Sequence, residues 1–517
     1  MKSSSLITIL VTLTFSLNFV LSENILAVIP ISTKSHRNVV EPLIQALAKR
    51  GHTLTVISPG APYSKPVPNI TEIVPIKYPE VFKEMKDPFQ QRREGGLAGM
   101  GSMDFVYTAS EKIYKSGLLE PLYKENFDLI ITTAMFNGCF DCFMHKIGAP
   151  IIQVSTLAAP SFVTELVGNV LPPSFVPIFF LKSNDNMAFK ERLINTALDL
   201  MFRIFGQLSL TPELDAFNRK FFGEDCPSTV DVEKNISLVL SNAFVPLTTP
   251  RPLLPDVVEV GGMHCRPPTP LPKDLDEFLS GAEHGFVYFS LGSVVQTDQI
   301  PDSVRQSFVN VFSRLKQRVI WKWNSGQMDN LPPNVRVSKW LPQQDILGHL
   351  NIRVFMTHGG LLSTQEAAYH GVPLLGMPVF VDQDLNMHQA EDGGYALTLE
   401  ILEITEEKLE SLLRELIDNP KYTSKAKQLS GIFRNQLQTP LERAVFWTEY
   451  VMRHNGAVHL RSAARKLNYF QYRSMDVIGF LLAIVFVVSY VFFVSCKFCF
   501  RRIFRRSAVI DAIKKQK

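Results

Sequence analysis

Short, unbroken apolar runs recur along the chain, each followed by an amphipathic stretch with helical spacing. The first run, NILAVIP at 24–30, leads through a loop at 31–37 to Val39, Leu43, Ala46 and Leu47, which share one side of a helix. Arg50-Gly51-His52 ends that helix, and TLTVIS at 53–58 is the next run. The same grammar returns at 128–132 (DLIIT) and 150–155 (PIIQVS). It starts afresh at 285–291 (GFVYFSL) and continues at 318–323, 335–338, 353–357 and 373–377, with helical segments between, as at 302–316 and 345–350. Continuous apolar strands separated by helices predict parallel sheets covered on both faces. The fold class is therefore α/β, with two Rossmann-like domains at 23–245 and 284–440. The segment 246–283 joins them, because its first part, 246–272, is rich in proline. Inside the first domain, 162–222 is apolar, partly helical and broken by Pro172-Pro173 and Pro177, which suits either the wall of an apolar pocket or extra core.

The two ends read differently. Residues 1–22 carry one lysine, an apolar run from Leu6 to Val20 and small residues near Ser22, the pattern of a cleavable secretory signal. Residues 477–496 (VIGFLLAIVFVVSYVFFVSC) hold no charge and, at about 1.5 Å per residue, cross a hydrocarbon core of about 30 Å. The tail 497–517 has eight Lys/Arg and one Asp, so +7 against +4 for the whole chain, which leaves the rest near −3. Basicity is thus a property of the tail and gives no reason to expect nucleic-acid binding. Positive charge after the span predicts a cytosolic tail and a lumenal body, a single-pass type I protein.

Lys514 and Lys515 lie four and three residues from the end and resemble the dilysine signal of endoplasmic-reticulum membrane proteins, although a basic tail also suits lipid headgroups. Asn69-Ile-Thr and Asn235-Ile-Ser are glycosylation sequons that fit a lumenal body. The body's four cysteines, Cys139, Cys142, Cys226 and Cys265, are too few for a disulfide framework, and Cys139-x-x-Cys142 reads as two core thiols on one helix or as a redox or metal pair.

The densest chemistry lies in FMTHGGLLSTQEAAYHGVPLLGMPVFVDQDLN, 355–386. An apolar strand turns at His358-Gly359-Gly360 into a helix that runs to about Gly371, and a second strand leads to Asp382-Gln383. A glycine turn that opens a helix exposes free N–H groups and the positive dipole end, a phosphate site. A carboxylate and an amide on the next loop suit sugar hydroxyls. Ligands of open parallel sheets sit at the strands' carboxyl ends. Gly292-Ser293, Trp340, Gln343, His358 and Asp382-Gln383 all follow predicted strands. Trp340 is either a stacking face for a base or a core residue, and Ser363 with Glu366 either contacts ligand or forms a capping box.

The order His-Gly-Gly, Ser/Thr-x-x-Glu, Asp-Gln closely resembles the signature of the UDP-glycosyltransferase family, and the HGGLLSTQEA wording resembles its insect branch. The resemblance runs from the signal sequence to the tail. It implies the two-domain GT-B architecture, with helical 441–454 in the segment 441–476 packing back across the first domain. It gives Trp340 the uracil and Gln343 the nucleoside. Gly292, Ser293, His358, Gly360 and Ser363 take the diphosphate, Glu366 the ribose, and Asp382 and Gln383 the hexose. Many relatives have Asn where this chain has Leu362, so more of the phosphate contact falls to the backbone.

The resemblance makes His36 the general base and pairs it with a carboxylate just past the strand 128–132, where this chain has Thr133. Asp141 is either a substitute for that carboxylate or an ordinary acid on a helix surface. The implied reaction is inverting transfer of a hexose, UDP-glucose by insect practice, to a small lipophilic acceptor, and Thr133 in place of a charged partner leaves a weaker base that favours phenols. The UDP-sugar is a co-substrate, and neither a cofactor nor a metal is expected. UDP-glucuronate as donor, glycosylation at an aromatic carbon, a catalytically weak UDP-sugar-binding membrane protein and a homo-oligomer all stay open.

Overall fold

The computed structural model describes residues 22–60, 66–82, 87–94, 104–293, 295 and 297–514. The expected signal sequence, up to residue 21, and Lys515 of the dilysine pair lie outside the described residues. Residues up to Arg461 form one compact unit and those from Ser462 a second.

The first unit is built on two all-parallel sheets. One contains β1 (Asn24–Val28), β2 (Thr53–Ile57), β3 (Ile70–Ile73), β4 (Leu129–Thr133), β5 (Ile151–Ser155), β6 (Ile236–Ser241) and β7 (Val257–Glu259), in the order β3-β2-β1-β4-β5-β6-β7. The other contains β8 (Phe286–Ser290), β9 (Arg318–Lys322), β10 (Val335–Ser338), β11 (Ile352–Thr357), β12 (Leu374–Gly376) and β13 (Ala396–Thr398), in the order β10-β9-β8-β11-β12-β13. The unbroken apolar runs have the physical meaning expected of them. Leu26 and Val28 enter the core on one side of the first sheet, and Ile25 and Ala27 enter the core on the other. Val287 and Phe289, against Phe286 and Tyr288, do the same in the second sheet.

Four strands went unread in the sequence. Of these, β3, β7 and β13 have three or four residues, too few for periodicity to register. β7 falls within the stretch read as linker, yet it completes the first sheet by pairing with β6. The helix Lys273–Ser280 also lies there. The helix after β1 starts at Lys34, where Thr33 Oγ1 accepts from the His36 N–H, so the loop is shorter than 31–37. The helix Pro440–Arg453 does pack on the first sheet's side. Ala444, Val445 and Val451 join the core that holds Val39 and Leu43, and Arg50 Nη2 donates to Glu449 Oε2 at 3.0 Å.

Cys142, on the helix Asp141–Ile147, is disulfide-bonded to Cys226, with Cα atoms 5.8 Å apart. Cys139 sits in the preceding turn Gly138–Phe140 as a buried free thiol, so the two are neither a redox pair nor two thiols of one helix. A bond between residues 84 apart in sequence leaves no local spacing signal.

The second unit carries two short turns and one helix, Met475–Lys514. Its apolar part, Met475–Phe504, has 30 residues and is long enough to cross a membrane.

Candidate functional site

Each sheet reverses its strand order once, between β1 and β4 in the first and between β8 and β11 in the second. At such switch points the connections leave to opposite faces and open a crevice at the strands' carboxyl ends. Both crevices open into one cavity of about 910 Å³. His36 lines it from the first half, and Trp340, His358 and Gln383 line it from the second.

In the second half, β11 ends at Thr357 and the helix Leu361–His370 begins after Gly360. Its first turn presents unbonded N–H groups to the cavity. The His358 ring fills the space left by two glycines. A Cβ on Gly292 would lie 2.6 Å from His358 Cε1, and one on Gly360 would lie 2.6 Å from Nε2. Glycine is required at both positions to seat the imidazole, whose Nδ1 is 3.4 Å from Thr357 Oγ1. Burial and the nearby Lys322 charge push the His358 pKa down to about 4, so the ring is neutral and donates through one nitrogen.

Ser363 is the third residue of that helix, behind the cap at Gly360, so it is not the cap of a capping box. Instead, Gln343 Nε2 donates to Ser363 Oγ at 3.0 Å and to Glu366 Oε2 at 2.6 Å, while Gln343 Oε1 accepts from the Tyr288 hydroxyl at 3.0 Å. Burial pushes the Glu366 pKa up to about 7, against the lowering effect of the Gln343 bond and of Arg266. Trp340 is 70% exposed, which rules out the core alternative, and its indole borders the cavity. Ser293 is also exposed at the rim.

Val381 has φ 60°, a strained value for a β-branched residue, and it directs the chain into the helix Gln383–Asp392. Gln383 Oε1 accepts from the Val379 and Phe380 N–H groups at 2.8 and 3.2 Å, which commits the amide oxygen to the loop and leaves the NH₂ for a ligand. Asp382 Oδ2 accepts from Asn386 Nδ2 at 2.7 Å, and burial pushes its pKa up to about 6.

In the first half, His36 belongs to the first turn of its helix, with its ring stacked on Phe136 at 6.3 Å. Its Nδ1 is buried without a partner, and burial pushes its pKa down to about 4. Thr133 is the last residue of β4, and its hydroxyl accepts from Asn137 Nδ2 at 2.6 Å. Asp141 is neither a surface acid nor a wall of the cavity. It is buried, its Oδ2 lacks a partner, and burial with the charges of Glu233 and Asp215 raises its pKa well above the usual range. From the apolar insert, Phe179 and Phe180 reach the cavity. Both sequon asparagines, Asn69 and Asn235, are exposed.

Several lining or supporting residues escaped the sequence reading. Lys322, the last residue of β9, donates from Nζ to the Gly292 carbonyl at 2.5 Å, and burial and Lys34 lower its pKa. The rule that ligands gather at strand ends would have found it. Tyr288 lies mid-strand and His264 lies in the linker, the latter with Nε2 3.3 Å from the Leu362 carbonyl, and neither carries a local signal. Arg92 reaches the cavity from the short helix Pro88–Glu94. Among the described residues, no three His, Cys, Asp or Glu side chains are grouped as metal ligands.

A family profile described as UDP-glucoronosyl and UDP-glucosyl transferase matches residues 24–508. UDP-glucosyltransferase 2 of Dactylopius coccus is 35% identical over 477 residues, covering 90% of this chain and 92% of that protein. UDP-glucuronosyltransferase 2B15 of Homo sapiens is 32% identical over 498 residues, with coverage of 91% and 92%. Among solved structures, a UDP-glucosyltransferase from Polygonum tinctorium superposes with a TM-score of 0.57 at 14% identity, covering 84% of this chain and 99% of that one. The glycosyltransferase of kitacinnamycin superposes with a TM-score of 0.56 at 19% identity, covering 84% and 100%. At these identities the two structures speak for the fold, which is GT-B.

Proposed function

The chain belongs to the UDP-glucuronosyl and UDP-glucosyl transferase family and is a UDP-glycosyltransferase, and from that premise we propose that it moves the hexose of a UDP-sugar to a small, lipophilic phenol with inversion at the anomeric carbon. The observation that carries this reading is the shared cavity, which sets His36 of one sheet opposite the His358 turn of the other. Trp340 stacks uracil, and Gln343 with Glu366 binds the nucleoside. His358, Ser293, Lys322 and the free N–H groups after Gly360 meet the diphosphate charge. Asp382 and the Gln383 NH₂ hold the hexose. Phe136, Phe179 and Phe180 give the acceptor an apolar wall.

The phenol oxygen attacks the anomeric carbon, the bond to the UDP oxygen breaks, and the phenolic proton passes to His36. Nδ1 is buried without a partner, so Nε2 is the ring nitrogen that takes the proton. The body resides in the lumen of the endoplasmic reticulum, glycosylated at Asn69 and Asn235 and anchored by the apolar helix. The Cys142–Cys226 disulfide supports that placement, because such bonds persist in oxidising compartments.

The test is product analysis with labelled UDP-sugars and a panel of phenols in microsomes. An O-glycoside of inverted configuration is expected from the wild type. His36→Ala should lose most turnover and keep UDP binding. Donor binding without any product would favour a weak sugar-nucleotide binder instead.

A further inference from the structure

The helix Pro88–Glu94 belongs to the first half by sequence but is fastened to the second. Phe89, 1% exposed, sits in the core of the second sheet with Val287 and Phe289. On the same helix, Arg92 is gripped by two carboxylates of the second half. Its Nη1 and Nη2 donate to Asp384 Oδ2 and Oδ1 at 2.5 and 3.1 Å. Its Nη2 and Nε donate to Glu400 Oε2 and Oε1 at 2.6 and 3.2 Å. All three side chains line the cavity together with Asp382 and Gln383, and Asp384 is the residue immediately after Gln383.

Two bidentate pairs occupy the guanidinium's hydrogen-bonding edges. One positive charge faces two negative ones, so the wall at this end carries a net negative charge, to which Asp382 adds when ionised. The other lining lysine or arginine among the described residues is Lys322, which is bonded to the Gly292 carbonyl beside His358 and so serves the diphosphate end.

We propose that the Arg92–Asp384–Glu400 cluster decides the donor sugar: it presents a filled, net-negative wall to the hexose, so a neutral hexose is transferred and a uronic acid is rejected. This rests on the reading of Asp382 and Gln383 as the hexose contacts. A uronate carboxylate meets like charge here, and the one guanidinium within reach has no free edge to offer it. The same geometry makes Arg92 a latent carboxylate receptor. Removing its two partners leaves a planar cation at the sugar end of the cavity.

The experiment measures kcat/KM for UDP-glucose and UDP-glucuronate with one phenol. The full-length microsomal protein is used as wild type, Glu400→Gln, Asp384→Asn with Glu400→Gln, and that pair with Arg92→Met. The wild type should favour UDP-glucose. The double variant should shift the ratio toward UDP-glucuronate by about tenfold or more, the size of one charge-assisted contact. Adding Arg92→Met should abolish the gain. Glu400→Gln alone should move the ratio the same way by less, which gives a readout if the double variant folds poorly. A wild type that uses UDP-glucuronate as well as UDP-glucose would overturn the proposal. So would a ratio unmoved in both the single and the double variant, or a gain that survives loss of Arg92. Asp382→Asn separates the two levels of the argument. A raised donor KM in that variant with no shift in the others sinks the discriminator alone, and an unchanged KM for both donors removes the hexose reading and the discriminator together.

Discussion

At the residue scale, Trp340, His358 and Asp382-Gln383 stand beyond strand ends and line the cavity, and the Gln343 contacts with Tyr288, Ser363 and Glu366 join three separate stretches of the chain. Those contacts sharpen the mutational tests. Trp340→Ala should weaken UDP and UDP-sugar equally, by about 1–3 kcal/mol in calorimetric titration, because it removes stacking common to both. Gln383→Glu keeps an oxygen for the Val379 and Phe380 N–H groups and removes the free NH₂, so it should spare UDP affinity and raise the donor KM. Equal loss of UDP affinity in both variants would refute the division between uracil and hexose contacts. His36 makes a further prediction. Its pKa near 4 keeps it neutral, so His36 should add no acid limb to the acceptor kcat/KM between pH 8 and about 5, where any loss comes from Glu366 and Asp382, and should add one only below that. An ordinary imidazole would fail from about 6.5. Such a weak base suits phenols, whose pKa is about 10, better than aliphatic alcohols. Thr133→Asp should raise the acid limb and speed alcohols. A limb near about 6.5 in the wild type that Glu366→Gln and Asp382→Asn leave in place would mean that a charged partner stabilises the imidazolium.

At the scale of elements, the long apolar strands were legible because burial on both faces writes itself into composition, whereas β3, β7 and β13 are too short to do so. The helix starts at Lys34, ahead of its first apolar position, because Thr33 caps it through the His36 N–H, a choice made by one hydroxyl. Asp141 shows the limit of reading one element alone. At the head of its helix it looked either catalytic or exposed, yet packing brings it under the charges of Glu233 and Asp215. The pKa of Glu233 is likewise pushed up to about 7, chiefly by burial and further by Asp215. Folded carboxyls with raised pKa values hold protons that the unfolded chain has released. The stability that Glu233 contributes is therefore full below about 4.5, the ordinary carboxyl range, and is lost as pH rises through about 7, while His36 and His358, held near 4, act in the opposite sense below about 6.5. Thermal midpoints of the wild type and Glu233→Gln between pH 5 and 8 isolate the Glu233 part. The variant should gain on the wild type as pH rises, and a difference that does not change with pH would show that the cluster carries no such linkage.

At the scale of the whole molecule, one topology used twice explains why the site needs both halves. Each sheet opens a crevice at its switch point, and neither crevice alone holds both the His36 ring and the His358 turn. That duplication was visible in the sequence as a pattern that starts twice. The Phe89 and Arg92 attachment between the halves was not, because it depends on a seven-residue helix meeting side chains about 300 positions away. The ends of the chain carry a separate test. Positive charge gathers after the uncharged run 477–496, where Arg501, Arg502, Arg505 and Arg506 follow Lys497. By the positive-inside rule such a cluster is expected on the cytosolic side, so the proposed topology has everything before the helix in the lumen. In sealed microsomes, protease should therefore trim only about the last 20 residues, the stretch beyond a span of about 30 Å, and leave the body intact until detergent is added. A tag on the body should migrate faster after glycosidase treatment. The shift should shrink in steps with Asn69→Gln and Asn235→Gln, because both side chains are exposed. Digestion of the body without detergent would place it in the cytosol, where the Cys142–Cys226 bond would be reduced and the donor would have to come from the cytosolic pool.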